Sequence, residues 1–313
     1  MELFRRMTAK LVPPLGARSR VGVHGRTTYP LDFVDHREMD PGYQGPVFIW
    51  DIDKTYLDTH FSSVKGMARI PFELAVDKHP IVGMPEVLRG LRHGGGKDYA
   101  GHPLYFVTAS PPQVRPAVER RMLLDGIEYD GILCKDWLRT LAQGRPGRLV
   151  EQVGFKLCAL LSAKGGRPLS HEYLFGDDVE ADAQAYTIYA DLISGRLRGG
   201  DVDEVLSKAG VARDDRRIIH SLLDGIPLPA GPVEAVFIYL AQRTDPSEFH
   251  RYGPLVRPVR CGYQLALALF DMGLVPARTV RQVRGLVEDQ AEKLESDAVT
   301  RGLVAPERLA ALD

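Results

Sequence analysis

Short apolar runs alternate along the chain with stretches in which apolar residues return every third or fourth position. GPVFIWDID (45–53), HPLYFVTAS (102–110), GILC (131–134), HEYLFGDD (171–178) and AVFIYLAQ (235–242) read as buried strands. PEVLRGLRHG (85–94), PPQVRPAVERRMLLDGI (111–127), VEQVGFKLCALLSAKGG (150–166) and ADAQAYTIYADLISG (181–195) read as helices, the second opening on prolines suited to a first turn and the third closing on glycines. Strands alternating with helices predict an α/β fold, a parallel sheet in three layers with helices on both faces. In such sheets ligands bind beyond the carboxyl ends of the strands. The acids and hydroxyls of these runs all fall at such ends.

Three regions stand outside the alternation. Residues 1–45, rich in Pro, Gly and Arg, read as an irregular N-terminal arm. Residues 200–230 read as two short helices inserted before the last strand, the first (DVDEVLSKAG) starting on an acidic cap. From 251 to 313 the chain reads as a helical C-terminal extension, containing CGYQLALALFDMG and TVRQVRGLVEDQAEKLESDAVTRG. The central domain is thus expected over 46–250. The stretch between its first two acid- or hydroxyl-ended strands, including SSVKGMARIPFELAVDKHPIVGMP, is too short for a large cap domain, since domains start at roughly 50 residues. An open site is expected.

Composition changes this picture little and excludes much. The 313 residues are 44% hydrophobic and 26% charged, as in an ordinary globular protein. Forty Lys+Arg against 41 Asp+Glu leave a net charge of -1, so no general basic excess draws the chain to nucleic acid. Cys134, Cys158 and Cys261 are scattered and odd in number, which argues for a reducing compartment. The opening MELFRRMTAKLVPP lacks the apolar core of a signal peptide, and no run approaches the roughly 18 apolar residues of a membrane span. A cytoplasmic protein is the expectation.

The candidate chemistry lies at four strand or helix positions. In DIDKT (51–55), Asp51 and Asp53 leave a strand two residues apart and so point roughly the same way. Asp51 could attack phosphorus, and Asp53 could protonate the leaving oxygen and then activate water. The bland alternative is a turn pair that opens a helix. Thr108 ends a second strand, where a hydroxyl could hold a phosphoryl oxygen or serve structure alone. Lys156 lies on an otherwise apolar helix; it snorkels to solvent by default, or, if turned to the strand ends, neutralises phosphoryl and carboxylate charge. FGDDVEAD (175–182) puts Asp177 and Asp178 at another strand end, an oxygen-only set suited to Mg²⁺ or simply acids on a helix N-terminus, the role first expected of Asp182. HGGGK (93–97) is a loop, because Asp98 follows the lysine where a phosphate loop needs Ser or Thr.

In order, DxDxT, a strand-end Thr, a Lys and GDD resemble the four signature motifs of the haloacid dehalogenase superfamily. More narrowly, VTASP, ILCKDW, the lysine helix and FGDDVEADAQAY resemble the catalytic domain of actin-patch-type phosphatidate phosphatases. That family's last motif reads GDSGExDPEIY, matched here by Gly176, Asp177, Glu180, Asp182 and Tyr186; Asp178, Val179 and Lys54 depart from the pattern. The resemblance implies a Rossmannoid fold and a phosphomonoester hydrolase. It implies Asp51 as nucleophile, Asp53 as acid/base, Thr108 and Ser110 as substrate-binding hydroxyls and Lys156 as the phosphoryl-stabilising cation. It implies Mg²⁺ held by Asp51, Asp177 and the backbone carbonyl of Asp53, with Asp178 as a further metal group. A phosphorylated substrate, phosphatidate or another bulky phospholipid, is the expected partner. Removal of terminal phosphates from nucleic acid is a second enzyme reading, disfavoured by the absence of a basic, aromatic-interleaved stripe. A non-catalytic scaffold is a third, disfavoured by retention of both aspartates and Lys156.

Overall fold

After its leading proline, every residue of Pro46–Asp51 is buried, as a strand covered on both faces requires. In the computed structural model, which describes residues 29–58, 79–144 and 146–312, this strand (β2) lies at the centre of a sheet. The described residues form seven strands: β1 (Leu31–Asp35), β2, β3 (Leu104–Thr108), β4 (Gly131–Lys135), β5 (His171–Asp177), β6 (Val233–Tyr239) and β7 (Val256–Val259). Their spatial order is β1-β4-β3-β2-β5-β6-β7, parallel throughout except for β1, which runs antiparallel to β4. The chain steps from β2 towards β4 on one side, then returns to place β5 on the other. Such a reversal leaves a crevice beside the central strands.

Alternation along β2 assigns the two faces. Phe48 and Trp50 enter one core with α1 (Met84–His93), α2 (Arg115–Leu124), α8 (Gly262–Asp271), α9 (Ala277–Gly285) and α10 (Ala291–Thr300). Trp50, Phe175 and Phe237 stack in a row across β2, β5 and β6 on this side, with successive ring centroids 4.2 and 5.4 Å apart. Val47 and Ile49 enter the other core with α4 (Val153–Lys164), α5 (Asp182–Ile193), α6 (Gly200–Lys208) and α7 (Arg213–Leu223). The three-layer α/β architecture is as expected. Two short helices, α3 (Trp137–Ala142) and α11 (Pro306–Ala310), complete the described elements named here.

Several particulars differ from the pattern read in the sequence. Within the segment read as an irregular arm, 1–28 lies outside the described residues, but Leu31–Asp35 is a strand. It is an edge strand, half-buried and flanked by charges, so no long apolar run announced it. β7 lies beyond the last strand read; its sequence VRPV carries the charge and proline that edge strands tolerate. The C-terminal helices pack on the sheet itself: Tyr263 and Leu265 to Leu269 of α8 are buried. Sheet and core therefore run across the boundary drawn near 250. The two helices expected at 200–230 are α6 and α7, and α7 packs on α4. Gly199, with no side-chain cap, precedes α6, and Asp201 and Asp203 occupy its first turn instead. Residues 59–78, on which the expectation of no large cap partly rests, lie outside the described residues. Among the described residues no helix is long and apolar enough to cross a membrane.

Candidate active site

Strand parity places the first acid. Asp51 follows Val47 and Ile49 onto the face covered by α4, and it is 1% exposed. There it meets Lys156, fully buried on α4, whose Nζ is 3.1 Å from Asp51 Oδ1. The same ammonium lies 2.8 Å from Glu180 Oε2 and donates to Asp182 Oδ1. A lysine cannot stay charged inside an apolar helix layer without such partners. Burial alone would lower its pKa, but Asp182, Asp51 and Glu180 outweigh burial and hold it well above the ordinary lysine value. The snorkelling alternative for Lys156 is thus replaced by a buried ion cluster.

Asp182 reaches this cluster because residue 176 has no side chain. A Cβ on Gly176 would sit 2.6 Å from Asp182 Cβ and Cγ. Asp182 is itself fully buried, and its Oδ2 accepts the backbone N–H of Asp177 at 3.1 Å. It therefore serves the cluster as well as the start of α5, a role beyond the helix-dipole one read in the sequence. Glu180 was matched to the family pattern without being assigned a site role. The signal that could have found both is Lys156 itself, since an internal lysine calls for acids of matching depth.

Asp53 lies just past the strand, in a turn closed by the Lys54 N–H to Leu57 carbonyl bond of 2.8 Å. Lys54 holds the left-handed conformation at φ 63°, which only glycine adopts freely. Both hydroxyls of the second strand end converge on Asp53: Thr108 Oγ1 donates to its Oδ2 at 3.0 Å and Ser110 Oγ at 2.8 Å. Thr108 and Ser110 thus orient the second aspartate, in addition to any contact they offer a substrate. Trp137 Nε1 donates to the Ala109 carbonyl at 2.8 Å and fixes this loop to α3.

At the end of β5 the two neighbouring acids part. Asp177 turns inward, fully buried, and its Oδ1 accepts the N–H groups of Val179 (2.6 Å) and Glu180 (2.9 Å). Its Oδ2 has Thr55 Oγ1 at 3.5 Å. Asp178 turns away, its carboxylate accepting the N–H groups of Gln242 (2.8 Å) and Thr244 (3.2 Å). It clamps the loop after β5 to the loop after β6, so the structure does not bring it among the acids expected to hold metal. Strand alternation explains the divergence, because consecutive residues leave a strand on opposite sides.

Among the described residues, the carboxylates whose oxygens lie within 4.8 Å of one another are Asp51, Glu180 and Asp182, an acidic cluster of a kind that can bind a metal. Lys156 already contacts all three. Asp51 Oδ2, in contrast, is buried with no hydrogen-bond partner among the described residues. Burial raises the Asp51 pKa well above the carboxylate range; Lys156 pulls it down, while Glu180, Asp182 and Asp177 push it up further. Burial first and Asp182 second push Asp177 up to about 8. Four carboxylates, those of Asp51, Asp177, Glu180 and Asp182, share one lysine as their cation, and the donor set is oxygen only. Both features fit a hard divalent cation.

Searches of curated proteins and of solved structures gave no match. A family model does match: residues 47–199 align with the model described as phosphatidate phosphatase APP1, catalytic domain. Residues 47–199, which hold Lys156 and the four carboxylates that share it, are thus similar to the catalytic domain of phosphatidate phosphatase APP1, a family of phosphatases.

Proposed function

We propose that the protein is a Mg²⁺-dependent phosphomonoester hydrolase of the haloacid dehalogenase type, working through an aspartyl-phosphate on a phospholipid substrate such as phosphatidate. The observation that carries this reading is the asymmetry of Asp51. One carboxylate oxygen is held by Lys156, and the other is buried and, among the described residues, free of hydrogen bonds. A nucleophile needs one anchored oxygen to orient it and one unshared oxygen to react.

In the proposed sequence Asp51 Oδ2 bonds to phosphorus as the ester P–O bond breaks, and the departing oxygen takes a proton from Asp53. Asp53 then accepts a proton from water, whose oxygen attacks phosphorus and releases phosphate and Asp51. Thr108 and Ser110 keep Asp53 turned to this task. Lys156 stays charged across the working pH range and offsets the negative charge gathered at Asp51. Asp177 would hold Mg²⁺, because its Oδ2 has only a long partner among the described residues, and Asp51 would join it through the carboxylate oxygen that does not attack phosphorus. When bound, the ion would neutralise the non-bridging phosphoryl oxygens. The cluster of Asp51, Glu180 and Asp182 suits it less, since Lys156 already serves as their cation. The phospholipid substrate rests on the family match. A cytoplasmic setting is supported by three free cysteines, two of them buried.

The test is hydrolysis of an aryl phosphate with and without Mg²⁺, together with acid-quench trapping of phosphoenzyme. Wild-type protein should turn over only with metal and yield an acyl-phosphate, and Asp51→Asn should do neither while melting normally. Turnover by the Asn variant would refute the mechanism.

A further inference from the structure

Single exposed apolar side chains are normal on any surface and need no explanation. At the carboxyl end of the sheet, however, they gather around the candidate site. Leu138 is 65% exposed, Leu141 48% and Val150 66%, all on the chain that leaves β4; Val179, on the loop leaving β5, is 45% exposed. We infer that these residues form a docking face for an anionic phospholipid bilayer, which seats the protein with its strand ends towards the lipid. The inference rests on the proposed reading of the site for its substrate, but the face itself is argued independently.

Leu138 and Leu141 are three residues apart on α3 and so share one face of the helix. The opposite face is turned inward: Thr140 is fully buried and its hydroxyl donates to the Asp136 carbonyl at 2.7 Å. The leucines thus have no core to enter, although they are large enough to stabilise one. Between Trp137 and Val150 the sequence contains no acidic residue. Arg139, exposed between the two leucines, makes no side-chain hydrogen bond or ion pair among the described residues. The nearest preceding acid, Asp136, is turned back to cap α3, accepting the Arg139 N–H at 2.9 Å. On α3, exposed leucines on either side of an unpaired arginine, in a stretch without acids, complement an anionic lipid surface, where the apolar tips enter the acyl boundary and the guanidinium stays with the phosphates.

The position ties the face to the chemistry. Trp137 Nε1 bonds the carbonyl of Ala109, the residue between Thr108 and Ser110, which both donate to Asp53. On the other side of the crevice Val179 directly follows the acids of β5, and its N–H donates to Asp177. Both lips of the site therefore carry apolar side chains outward. A phosphomonoester headgroup held in a bilayer would meet the carboxylates without leaving the interface, which raises its effective concentration there.

The experiment is flotation of the full chain with vesicles of phosphatidylcholine, with and without phosphatidate, run beside hydrolysis of a soluble aryl phosphate. Wild-type protein should float with phosphatidate-containing vesicles, and less so at high salt. Leu138→Asp combined with Leu141→Asp should lower vesicle partitioning by at least about tenfold, given the apolar area withdrawn. Arg139→Glu should lower it on anionic vesicles alone. All variants should melt and hydrolyse aryl phosphate like wild type, since none of these side chains contacts the carboxylates. Wild type that stays off the vesicles, or a double variant that floats equally well, overturns the docking face. Aryl-phosphatase activity without vesicle binding would leave the catalytic reading intact and remove this one. Leucine-dependent flotation without any phosphatase activity would do the reverse.

Discussion

Lys156→Met offers the most direct check on the buried ion cluster. Methionine keeps the length and apolar stem of lysine and removes only the ammonium. In the structure that ammonium is fully buried, 3.1 Å from Asp51 Oδ1 and 2.8 Å from Glu180 Oε2, and it bonds Asp182 as well. Removing one partner of a buried ion cluster leaves uncompensated charge and costs about 3–5 kcal/mol. At about 2 °C per kcal/mol for a chain of this size, Tm should fall by about 6–10 °C at pH 8. The pH dependence has a definite sign. Asp177, pushed up to about 8, and Asp51 and Glu180, also raised, bind more protons in the native state than in the unfolded chain above pH ~4. Native stability therefore falls as pH rises through that window. Without Lys156 these acids rise further, so less is lost at pH 5.5, where more of them are protonated, than at pH 8. Lys156 itself, raised above its ordinary value, contributes evenly across this range. Calorimetric or fluorescence melting at pH 5.5 and 8, for both proteins without added metal, measures the difference. A variant that melts within about 2 °C of wild type at pH 8, or that loses more at pH 5.5, would show that the cluster is not a buried charge balance.

Three further outcomes follow from the same geometry. Asp177→Ala should abolish turnover or raise the Mg²⁺ concentration needed for it, read from a metal titration of aryl-phosphate hydrolysis; a titration like that of wild type would remove Asp177 from the metal assignment. Asp178→Ala should leave that titration unchanged yet cost about 1–2 kcal/mol in denaturant unfolding, because two backbone N–H groups lose their acceptor. Gly176→Ala should cost about 1–3 kcal/mol and lower kcat, because the new methyl displaces Asp182 from Lys156; a crystal structure of the variant with the Asp182–Lys156 contact intact would refute that account.

The central strands, their order of chemistry and the placement of acids at their ends were legible because each is a local property of the chain. A run such as PVFIWD can be stable only where both faces are covered, and the acids that end it must then lie at the sheet's rim. Edge elements left weaker marks: LDFVD and VRPV are short, half-exposed and charged, and they become strands only because β4 and β6 offer them hydrogen bonds. The C-terminal helices looked like an appendage because amphipathic helices read alike wherever they pack. Their burial depends on an apolar sheet face many residues away in sequence.

The site divides in the same way. Sequence by itself determined the chemical inventory: a carboxylate pair in DIDKT, hydroxyls at 108 and 110, Lys156 on a largely apolar helix and a set of acids after β5. Tertiary structure decided which of these meet. Parity turns Asp177 inward and Asp178 away, the missing Cβ of Gly176 admits Asp182, and the depth of Lys156 gathers Asp51, Glu180 and Asp182 around one charge. No spacing rule encodes these meetings, because each depends on the packing of α4 and α5 against the sheet and on the cost of burying an ion without its counter-ion.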